Sequence, residues 1–383
     1  MEPVYLDYAA TTPVRDEVRD AMAPYDSDRF GNPSSLHRWG RVAAAALEEA
    51  RAMAAEALGA RPAEIHFVRG GTESDNLAIL GTCRALLADG ARPRLVVSAV
   101  EHHAVLEAAE HAVDTGLADL ATMPVSPEGD LDWETVHDLL AAGPALVSAM
   151  WVNNETGMVL PIPELTHIAK TAGATVHTDA SQAVGKVPVD VSDIPVNLLT
   201  ATGHKMYGPK GTGLLFVRAG TRVSPLLHGG GQERALRPGT EDVAGAVGFA
   251  TALKLAVETQ ASEGRRLRVL RDRLEACLSA ELSGIRINAG GAERAPHVAS
   301  VAILDIPDGE ALLMALDLEG IAVSGGSACA SGSQQGSHVI AALYGANDTY
   351  ANVRFSFGHG STEDDVERAV VATVAIVQRM RAA

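Results

Sequence analysis

Short apolar runs alternate with helix-forming segments through the first two thirds of the chain. The runs are four to six residues long and stand at 64–68, 94–98, 145–150, 175–178, 196–200 and 213–217. Runs that are apolar on both faces are typical of strands buried in a parallel sheet. Between them, residues 42–58 have helix chemistry and are followed by Gly59 at a C-cap position. The alternation predicts an α/β fold of βαβ units.

The pattern changes after about residue 240. A long amphipathic stretch is followed by an apolar run at 298–304, a helical segment at 309–318, a Gly/Ser-rich stretch at 324–337 and a closing helix. A chain of 383 residues is long enough to bury two hydrophobic cores. We therefore expect a second, smaller α/β domain, and the composition of residues 325–336 is typical of a mobile loop.

The charge of the chain argues against two classes of function. The formal net charge is −17 at pH 7, so the surface would repel phosphate backbones and anionic lipid. No apolar run approaches the ~18 residues of a membrane span, and the first residues have neither the basic nor the apolar region of a secretion signal. We expect a cytoplasmic protein that binds neither nucleic acid nor membranes directly.

The three cysteines differ in their surroundings. Cys83, Cys277 and Cys329 form no Cys-x-x-Cys pair, so the sequence predicts neither a disulfide framework nor a zinc or iron–sulfur site. Cys83 and Cys277 lie on apolar stripes of helical segments, as inert thiols do. Cys329 lies among Gly, Ser and Ala, where a thiol can be exposed and reactive.

Lys205 and Asp179 are candidates for cofactor chemistry. Lys205 stands in a Gly- and Pro-rich stretch, 201–211, and only five of the 31 basic residues are lysines. Asp179 follows the predicted strand 175–178, at the edge where ligands bind in open α/β sheets. A Schiff-base lysine and a carboxylate for a ring nitrogen are what a pyridoxal-phosphate site needs. Taken singly, a solvated lysine and a helix N-cap aspartate are the commoner readings.

A turn of small residues at 70–74 follows the strand predicted at 64–68. The N–H groups of Gly71 and Thr72, with the Thr72 hydroxyl, would face an anion at a helix N-terminus. Thr202 and His204, from the lysine loop, could complete a phosphate cradle. An ordinary strand-to-helix turn is the commoner explanation of such a Gly-Gly pair.

Further polar side chains follow predicted strands. Gln182 could contact a phenolic oxygen of the cofactor, and His102 could stack on the cofactor ring. His103 is expected at the surface, and adjacent histidines rarely bind one metal, so no metal site is predicted. Asn154 lies beyond the carboxyl end of the strand at 145–150, although a turn asparagine is the plainer reading.

Taken together, the motifs resemble those of the cysteine desulfurases, in the class V aminotransferase group of fold-type I pyridoxal-phosphate enzymes. Ordered recurrence of many short motifs over nearly the whole chain is far more specific than any one of them. The matching motifs are YLDYAATTP at 5–13, FGNPS at 30–34, GTESDN at 71–76, VNNE at 152–155, HTDA at 177–180, GHK at 203–205, HGGG at 228–231, RPGT at 237–240, SAC at 327–329 and VRFS at 353–356.

The resemblance implies a fold and a domain organisation. The fold would have a large pyridoxal 5'-phosphate domain with a mostly parallel seven-stranded sheet, residues 13–255. A small α/β domain would combine residues 1–12 with 256–383 and carry the catalytic cysteine loop. The run after Cys329 resembles the longer catalytic loop of the branch that serves iron–sulfur cluster assembly, with Gln335 and Gly336 departing from its usual sequence.

The resemblance also implies a role for each candidate. Lys205 would hold the cofactor covalently, Asp179 would pair with its ring nitrogen, and Cys329 would receive the substrate sulfur as a persulfide. His102 would stack on the cofactor ring and shuttle the thiol proton. Asn154 and Arg354 would bind the substrate carboxylate, where an Arg fork suits bidentate contact. The positions that match cofactor contacts are Gly71, Thr72, His102, Asn154, Asp179, Gln182, Thr202, His204, Lys205 and Thr240.

Partners and rival activities follow from the same resemblance. The expected substrate is L-cysteine, converted to L-alanine, and Thr240 would reach the phosphate in the neighbouring subunit of a homodimer. The persulfide would pass to a sulfur-acceptor protein, either a scaffold or a carrier. Three alternatives stay open: a selenocysteine lyase, another class V enzyme, or a weakly active sulfur-transfer scaffold. The final acceptor could serve iron–sulfur clusters, tRNA, a cofactor, a natural product or DNA modification.

Overall fold

The computed structural model describes residues 3–90, 92–141, 143, 145–325 and 336–382. Strands and helices alternate through the first part of the chain, as predicted. The strands are β1 Val4–Tyr5, β2 Ile65–Val68, β3 Arg94–Ser98, β4 Asp119–Met123, β5 Ala145–Ser148, β6 Thr175–Asp179, β7 Leu198–Thr202, β8 Gly213–Val217, β9 Ile285–Ile287, β10 Val298–Ile303, β11 Ile321–Ala322 and β12 Ala351–Ser356.

The helices vary in length from a 7-residue helix to one of 39 residues. None of them, as far as the described residues go, is long and apolar enough to span a bilayer. They are α1 Asp16–Asp26, α2 Arg38–Leu58, α3 Gly71–Ala88, α4 His103–Asp114, α5 Trp133–Ala141, α6 Ile162–Thr171, α7 Val243–Glu281, α8 Gly309–Leu318, α9 His338–Tyr344 and α10 Glu363–Ala382.

Seven strands form one sheet in the order β2-β8-β7-β6-β5-β3-β4. Only β8 runs opposite to the other six strands, so the prediction of a mostly parallel seven-stranded sheet is confirmed. The six apolar runs of the first two thirds of the chain all lie in this sheet. Strand β4 was not predicted, because it lies at the sheet edge and only Met123 of its five residues is buried. An edge strand with solvent on most of its residues has no continuous apolar run to detect.

Helix α2 shows how local sequence sets the ends of an element. It begins at Arg38, four residues before the predicted start, because the His37 side chain accepts a hydrogen bond from the Gly40 N–H and caps the first turn. It ends as predicted, with Gly59 in the left-handed conformation at φ +68°. The backbone conformation therefore favours glycine there, and a Cβ would also displace the Asp190 carboxylate, whose Oδ1 it would approach to 2.0 Å.

The C-terminal third forms a second hydrophobic core. Strands β12, β10 and β9 make a three-stranded antiparallel sheet, and β1 pairs with β11. Val4 and Leu6, at the start of the chain, pack into this cluster with side chains of α7, α8 and α10. The long amphipathic stretch and the closing helix are confirmed as α7 and α10. The domain boundaries 13–255 and 1–12 with 256–383 stay a prediction.

The sheet topology determines where polar side chains can meet. Strands β3, β5, β6 and β7 are parallel, and β2 points the same way because β8 is antiparallel to both β2 and β7. Their carboxyl ends therefore share one edge of the sheet. The candidate residues follow these ends, so the fold brings to one place residues that lie more than 100 positions apart in the chain.

Candidate active site

A cavity of about 240 Å³ lies at the carboxyl edge of the large sheet. Ten of the twelve predicted site residues line it: Gly71, Thr72, His102, Asn154, Asp179, Gln182, Thr202, His204, Lys205 and Arg354. The other lining residues are Ala9, Ala10, Asp75, His103, Met150, Glu155, Ser181 and His338. Of the other two, Thr240 is not among the lining residues, and Cys329 lies outside the described residues.

Lys205 ends a short 3-10 turn, Gly203–Lys205, that follows β7 directly. Its Nζ donates hydrogen bonds to the carbonyl oxygens of Ala9 at 2.6 Å and Ala10 at 2.8 Å. The turn is tightly packed, because a Cβ on Gly203 would approach Thr212 Oγ1 to 2.6 Å. The lysine is therefore held inside the cavity by the N-terminal segment and is not a solvated loop residue.

Asp179 is a buried carboxylate at the end of β6. It is 5% exposed, and its Oδ1 accepts a hydrogen bond from the Ser181 N–H at 2.9 Å. A second carboxyl group, Asp75, lies in the same cavity wall and is buried. Burial and the charge of Asp179 raise the pKa of Asp75 well above its usual range. The part of the cavity next to Asp179 is therefore suited to binding one cationic group.

The start of α3 provides an anion site in the cavity wall. Gly70 precedes the helix at φ +124°, a conformation that favours glycine, and Gly71 and Thr72 form the first turn. The first-turn N–H groups of a helix have no acceptor inside the helix, and the helix dipole favours a negative charge. Thr202 and His204 approach from the lysine turn. The four residues predicted to form a phosphate cradle therefore line one cavity.

His204 enters this cradle as a neutral ring. Its Nδ1 lies 3.2 Å from Thr11 Oγ1. Burial, followed by the charges of Lys205 and Lys210, lowers the pKa of His204 to about 4. A neutral imidazole can donate one hydrogen bond to a phosphate without adding charge.

His102 caps α4, and the cap fixes its tautomer. Its Nδ1 accepts the Ala104 N–H at 3.0 Å, so the neutral ring carries its proton on Nε2. Burial lowers the pKa of His102, with Asp179 opposing and Lys205 adding to the shift. The ring is thus a neutral group suited to stacking. To shuttle a proton, the His102 ring would have to take up a second proton on Nδ1. This requires the hydrogen bond from the Ala104 N–H to break.

His103 and His338 stand next to each other at the cavity wall. Their ring centroids are 4.7 Å apart, and His338 Nε2 donates a hydrogen bond to the Glu101 carbonyl at 2.8 Å. The side chain of His103, expected at the surface, is 40% exposed and also lines the cavity. The sequence offered no signal for His338, because it follows the Gly/Ser-rich stretch without a strand pattern.

Arg354 is a buried guanidinium that lines the cavity from β12. Its Nη1 donates to the Asn154 carbonyl at 2.7 Å, and its Nη2 pairs with Asp7 Oδ1 at 2.9 Å. Arg354 and Asn154, predicted to bind a carboxylate together, are therefore in direct contact. The bond uses the backbone of Asn154, which leaves its side-chain amide to other partners.

The N-terminal segment contributes groups that residue-by-residue reasoning missed. Ala9 and Ala10 line the cavity with carbonyl oxygens, and the Ala9 N–H donates to Ser356 Oγ at 2.9 Å. Only the matching motif at 5–13 pointed to this segment. Backbone acceptors of alanine carry no chemical signal of their own in a sequence.

The structure places one further predicted site residue, Thr240, away from the cavity lining and does not describe another, Cys329. Thr240 is exposed and lies between a 3-10 turn, Gln232–Ala235, and the start of α7. Cys329 and the long-loop interpretation rest on residues 326–335, which lie outside the described ranges. Cys83 is buried, and burial raises the pKa of its thiol to about 12, so it is inert as predicted.

The residues of the cavity fit pyridoxal phosphate as a cofactor. The wall offers a lysine amine, a buried carboxylate and a helix N-terminus, which match an aldehyde, a ring nitrogen and a phosphate. Ser181 Oγ, a buried polar atom of a lining residue, has no hydrogen-bond partner within the described part of the chain. Buried polar atoms normally have partners, which is consistent with a polar ligand at this place.

The chain is similar to known proteins over nearly its whole length. A protein of Dictyoglomus turgidum (strain DSM 6724 / Z-1310) named cysteine desulfurase IscS is 42% identical over 379 residues, which cover 99% of this chain and 95% of that protein. A solved structure described as a NifS-like protein has a TM-score of 0.91 at 32% identity, covering 98% of this chain and 100% of that one. Another, described as SspA in complex with cysteine, has a TM-score of 0.78 at 32% identity, covering 92% and 98%.

These similarities confirm the fold and the family predicted from the motifs. Residues 4–369 match the family described as aminotransferase class-V. The match spans all twelve strands of the described residues, including those at whose ends the cavity lies. The chain belongs to the aminotransferase class-V family.

Proposed function

We propose that the protein is a cysteine desulfurase, which converts L-cysteine to L-alanine and transfers the sulfur through a cysteine persulfide to an acceptor. The observation that carries this function is the convergence of Lys205, Asp179 and Arg354 on one cavity in a chain 42% identical to a named cysteine desulfurase. Lys205 supplies an amine, and Asp179 supplies a charge that complements a cationic ring. Arg354 supplies a group that binds the substrate carboxylate.

Pyridoxal 5'-phosphate, when bound, supplies an electron sink that makes the substrate Cα proton removable. Lys205 would hold it, with Asp179 at the ring nitrogen and His102 against the ring face. The first turn of α3, with Thr202 and His204, would hold the phosphate.

Arg354 and Asn154, which line the same cavity, would orient the substrate. The carboxylate of L-cysteine would bind to Arg354 and Asn154, which the Arg354 Nη1 bond to the Asn154 backbone keeps together. Lys205 Nζ, once it no longer holds the cofactor, takes the Cα proton of the substrate. The Ala9 and Ala10 carbonyls keep this Nζ at a defined position.

Cys329 is proposed as the sulfur acceptor of the enzyme. Its thiolate attacks the sulfur of the substrate, so that an S–S bond forms while the C–S bond breaks. The electron pair of the broken bond stays on the substrate carbon, which takes up the proton that the Cys329 thiol gave up. Lys205 returns the Cα proton, and the product leaves as L-alanine. The sulfur remains on Cys329 as a persulfide, from which it passes to a sulfur-acceptor protein.

We also propose a cytoplasmic homodimer with shared sites. Thr240 is exposed and does not line the cavity of its own chain, as expected for a residue that completes the site of a second copy. Three large apolar side chains in the segment 30–39, Phe30, Leu36 and Trp39, are 70%, 91% and 53% exposed. Apolar groups exposed to this extent favour burial against a second copy.

The first test of the function is release of alanine and sulfide from L-cysteine in the presence of a reductant. We expect turnover by the wild type and sulfide release near background in Cys329→Ser, while the absorbance of bound cofactor is kept. Cys277→Ser, a half-buried cysteine outside the cavity, is the matched control and should retain full activity. Full activity of Cys329→Ser would contradict persulfide formation on this residue.

The cofactor assignment is tested in parallel with two lysines of one loop. Lys205→Ala should lose both activity and the covalent cofactor absorbance. Lys210→Ala, five residues away and exposed, should keep both. A colourless wild-type protein that fails to take up pyridoxal phosphate would contradict the proposed function.

A further inference from the structure

His297 is a buried histidine to which the sequence assigned no role. It directly precedes β10, and its ring contacts a residue of the active site: His297 Nε2 lies 3.1 Å from Gln182 Oε1. Gln182 follows β6 of the seven-stranded sheet, whereas His297 belongs to the chain that leads into the three-stranded sheet. The contact therefore crosses between the two sheets beside the cavity.

The orientation of the Gln182 amide follows from its two neighbours. Its other end lies 2.8 Å from the Ala9 carbonyl oxygen, which can only accept a hydrogen bond. The group facing Ala9 must therefore be the NH₂, and the group facing His297 must be the oxygen. It follows that His297 Nε2 carries a proton and donates a hydrogen bond to Gln182 Oε1.

The surroundings of His297 keep it in this one neutral tautomer. The residue is 1% exposed, and its Nδ1 has no hydrogen-bond partner within the described ranges. Burial lowers the pKa of His297 well below its usual range, and the charged groups Lys186, Arg354, Arg271 and Lys205 lower it further. A ring with Nδ1 unprotonated and Nε2 protonated is thus the resting form.

The backbone around His297 is held on both sides. The Phe357 N–H donates to the His297 carbonyl at 2.8 Å, and the Ala295 N–H donates to the Gly157 carbonyl at 2.7 Å. Arg271 Nη1 also donates to the Ala295 carbonyl at 3.0 Å. The ring is therefore a fixed point against which the Gln182 side chain is oriented.

We propose that His297 is a positioning residue, which fixes the Gln182 amide so that its NH₂ faces the cavity and one N–H is free for the phenolic oxygen of the cofactor. The NH₂ has two protons, and Ala9 accepts only one of them. The inference rests on the proposed function, because it assumes that the cavity holds pyridoxal phosphate.

The test measures the bound cofactor in the absence of substrate. Donation from Gln182 stabilises the deprotonated phenolic oxygen, so its loss should raise the pH midpoint of the absorbance change by about 1 to 2 pH units, as for a hydrogen bond to a charged group. We expect this shift in Gln182→Leu and a smaller shift in the same direction in His297→Leu. His297→Gln, which keeps an N–H at similar reach, should restore the midpoint to near the wild-type value.

The double variant separates positioning from a merely structural role. If His297 acts through Gln182, the His297→Leu, Gln182→Leu protein should show the same midpoint as Gln182→Leu alone. Shifts that add, or an unchanged midpoint in both His297→Leu and His297→Gln, would overturn the proposal. A wild-type protein without cofactor absorbance would instead contradict the proposed function. Thermal unfolding of the cofactor-free variants controls for the fold.

Discussion

At the scale of single residues, the most unusual group is Glu101, which precedes His102 and has no exposed surface. Its Oε1 accepts hydrogen bonds from Ser98 Oγ and from the Met150 N–H, the latter at 2.7 Å. Burial raises the pKa of Glu101 to about 7, and Asp179 adds to this shift while the hydrogen bonds oppose it. The residue therefore changes its charge within the range of ordinary buffers.

The pKa of Glu101 makes the stability of the protein depend on pH. Below about pH 4.5 the carboxyl group is protonated in both the folded and the unfolded states. Between about pH 4.5 and 7 the Glu101 carboxyl group ionises only in the unfolded state. The contribution of Glu101 to the free energy of unfolding therefore falls as the pH rises. Glu101→Gln removes this dependence and keeps the acceptor oxygen. Its stability relative to the wild type should thus rise between pH 4.5 and 8, by ~3 kcal/mol at most.

Urea unfolding of both proteins at pH 5 and pH 8 measures this difference. The matched control is Glu110→Gln, an exposed position on helix α4. This carboxyl group is in contact with solvent, so the variant should not show the rise in relative stability expected for Glu101→Gln. A constant difference for Glu101→Gln would show that Glu101 ionises normally.

At the scale of elements, the turn Gln232–Ala235 combines strained backbone with a buried ion pair. Glu233, Arg234 and Ala235 have φ values of +45°, +57° and +64°, which residues other than glycine rarely adopt. Glu233 forms a two-pronged pair with Arg51 of α2, at 2.7 and 2.8 Å, and both side chains are 3% exposed. Glu233 also accepts the Phe67 N–H of β2 at 3.0 Å. The pair anchors the turn that leads to Thr240.

Breaking this pair should be costly, because the buried Arg51 charge would keep only one carboxylate partner, the exposed Glu48. We expect Glu233→Gln to lower the free energy of unfolding by about 3–5 kcal/mol. The control is Glu48→Gln, which removes an exposed partner of the same Arg51 and should cost less than ~1 kcal/mol. Chemical denaturation of both variants measures the two values, and similar costs would contradict the special role of the buried pair.

At the scale of the whole molecule, the proposed dimer has a consequence for mixed subunits. If Thr240 completes the site of the partner, a dimer of Lys205→Ala with Thr240→Val contains one site with both residues intact. Random pairing makes about half of the dimers mixed, and each mixed dimer has one intact site out of two. Co-expression should therefore give about a quarter of the wild-type activity at limiting cofactor. This activity should exceed the average of the two separate variants.

A second pairing shows whether the rescue depends on the subunit interface. Thr72 lines the cavity of its own chain, so a mixture of Lys205→Ala with Thr72→Val leaves a defect in every site. That mixture should show no rescue. Equal rescue in both mixtures, or a monomer in sedimentation experiments, would contradict a site that is shared between subunits.

The sequence alone determined the fold class and most of the cavity lining. Buried strands need continuous apolar runs, so the six runs marked the interior of the sheet, and the βαβ order required their carboxyl ends to meet at one edge. Polar residues after those runs, such as Asp179 and Lys205, were therefore predictable as neighbours. The motifs that resemble cysteine desulfurases added roles that spacing by itself leaves open.

The tertiary structure decided what depends on contacts between distant segments. It brought the Ala9 carbonyl to Lys205, the Asp7 carboxylate to Arg354, and the His297 ring to Gln182, over separations of 115 residues or more. It also shifted β7 by two residues from the predicted 196–200, because the pairing with β8 continues as far as Thr202 and Gly213. Backbone acceptors, tautomers and charge states of buried groups are set by the neighbours that folding supplies, and residue type alone does not encode them.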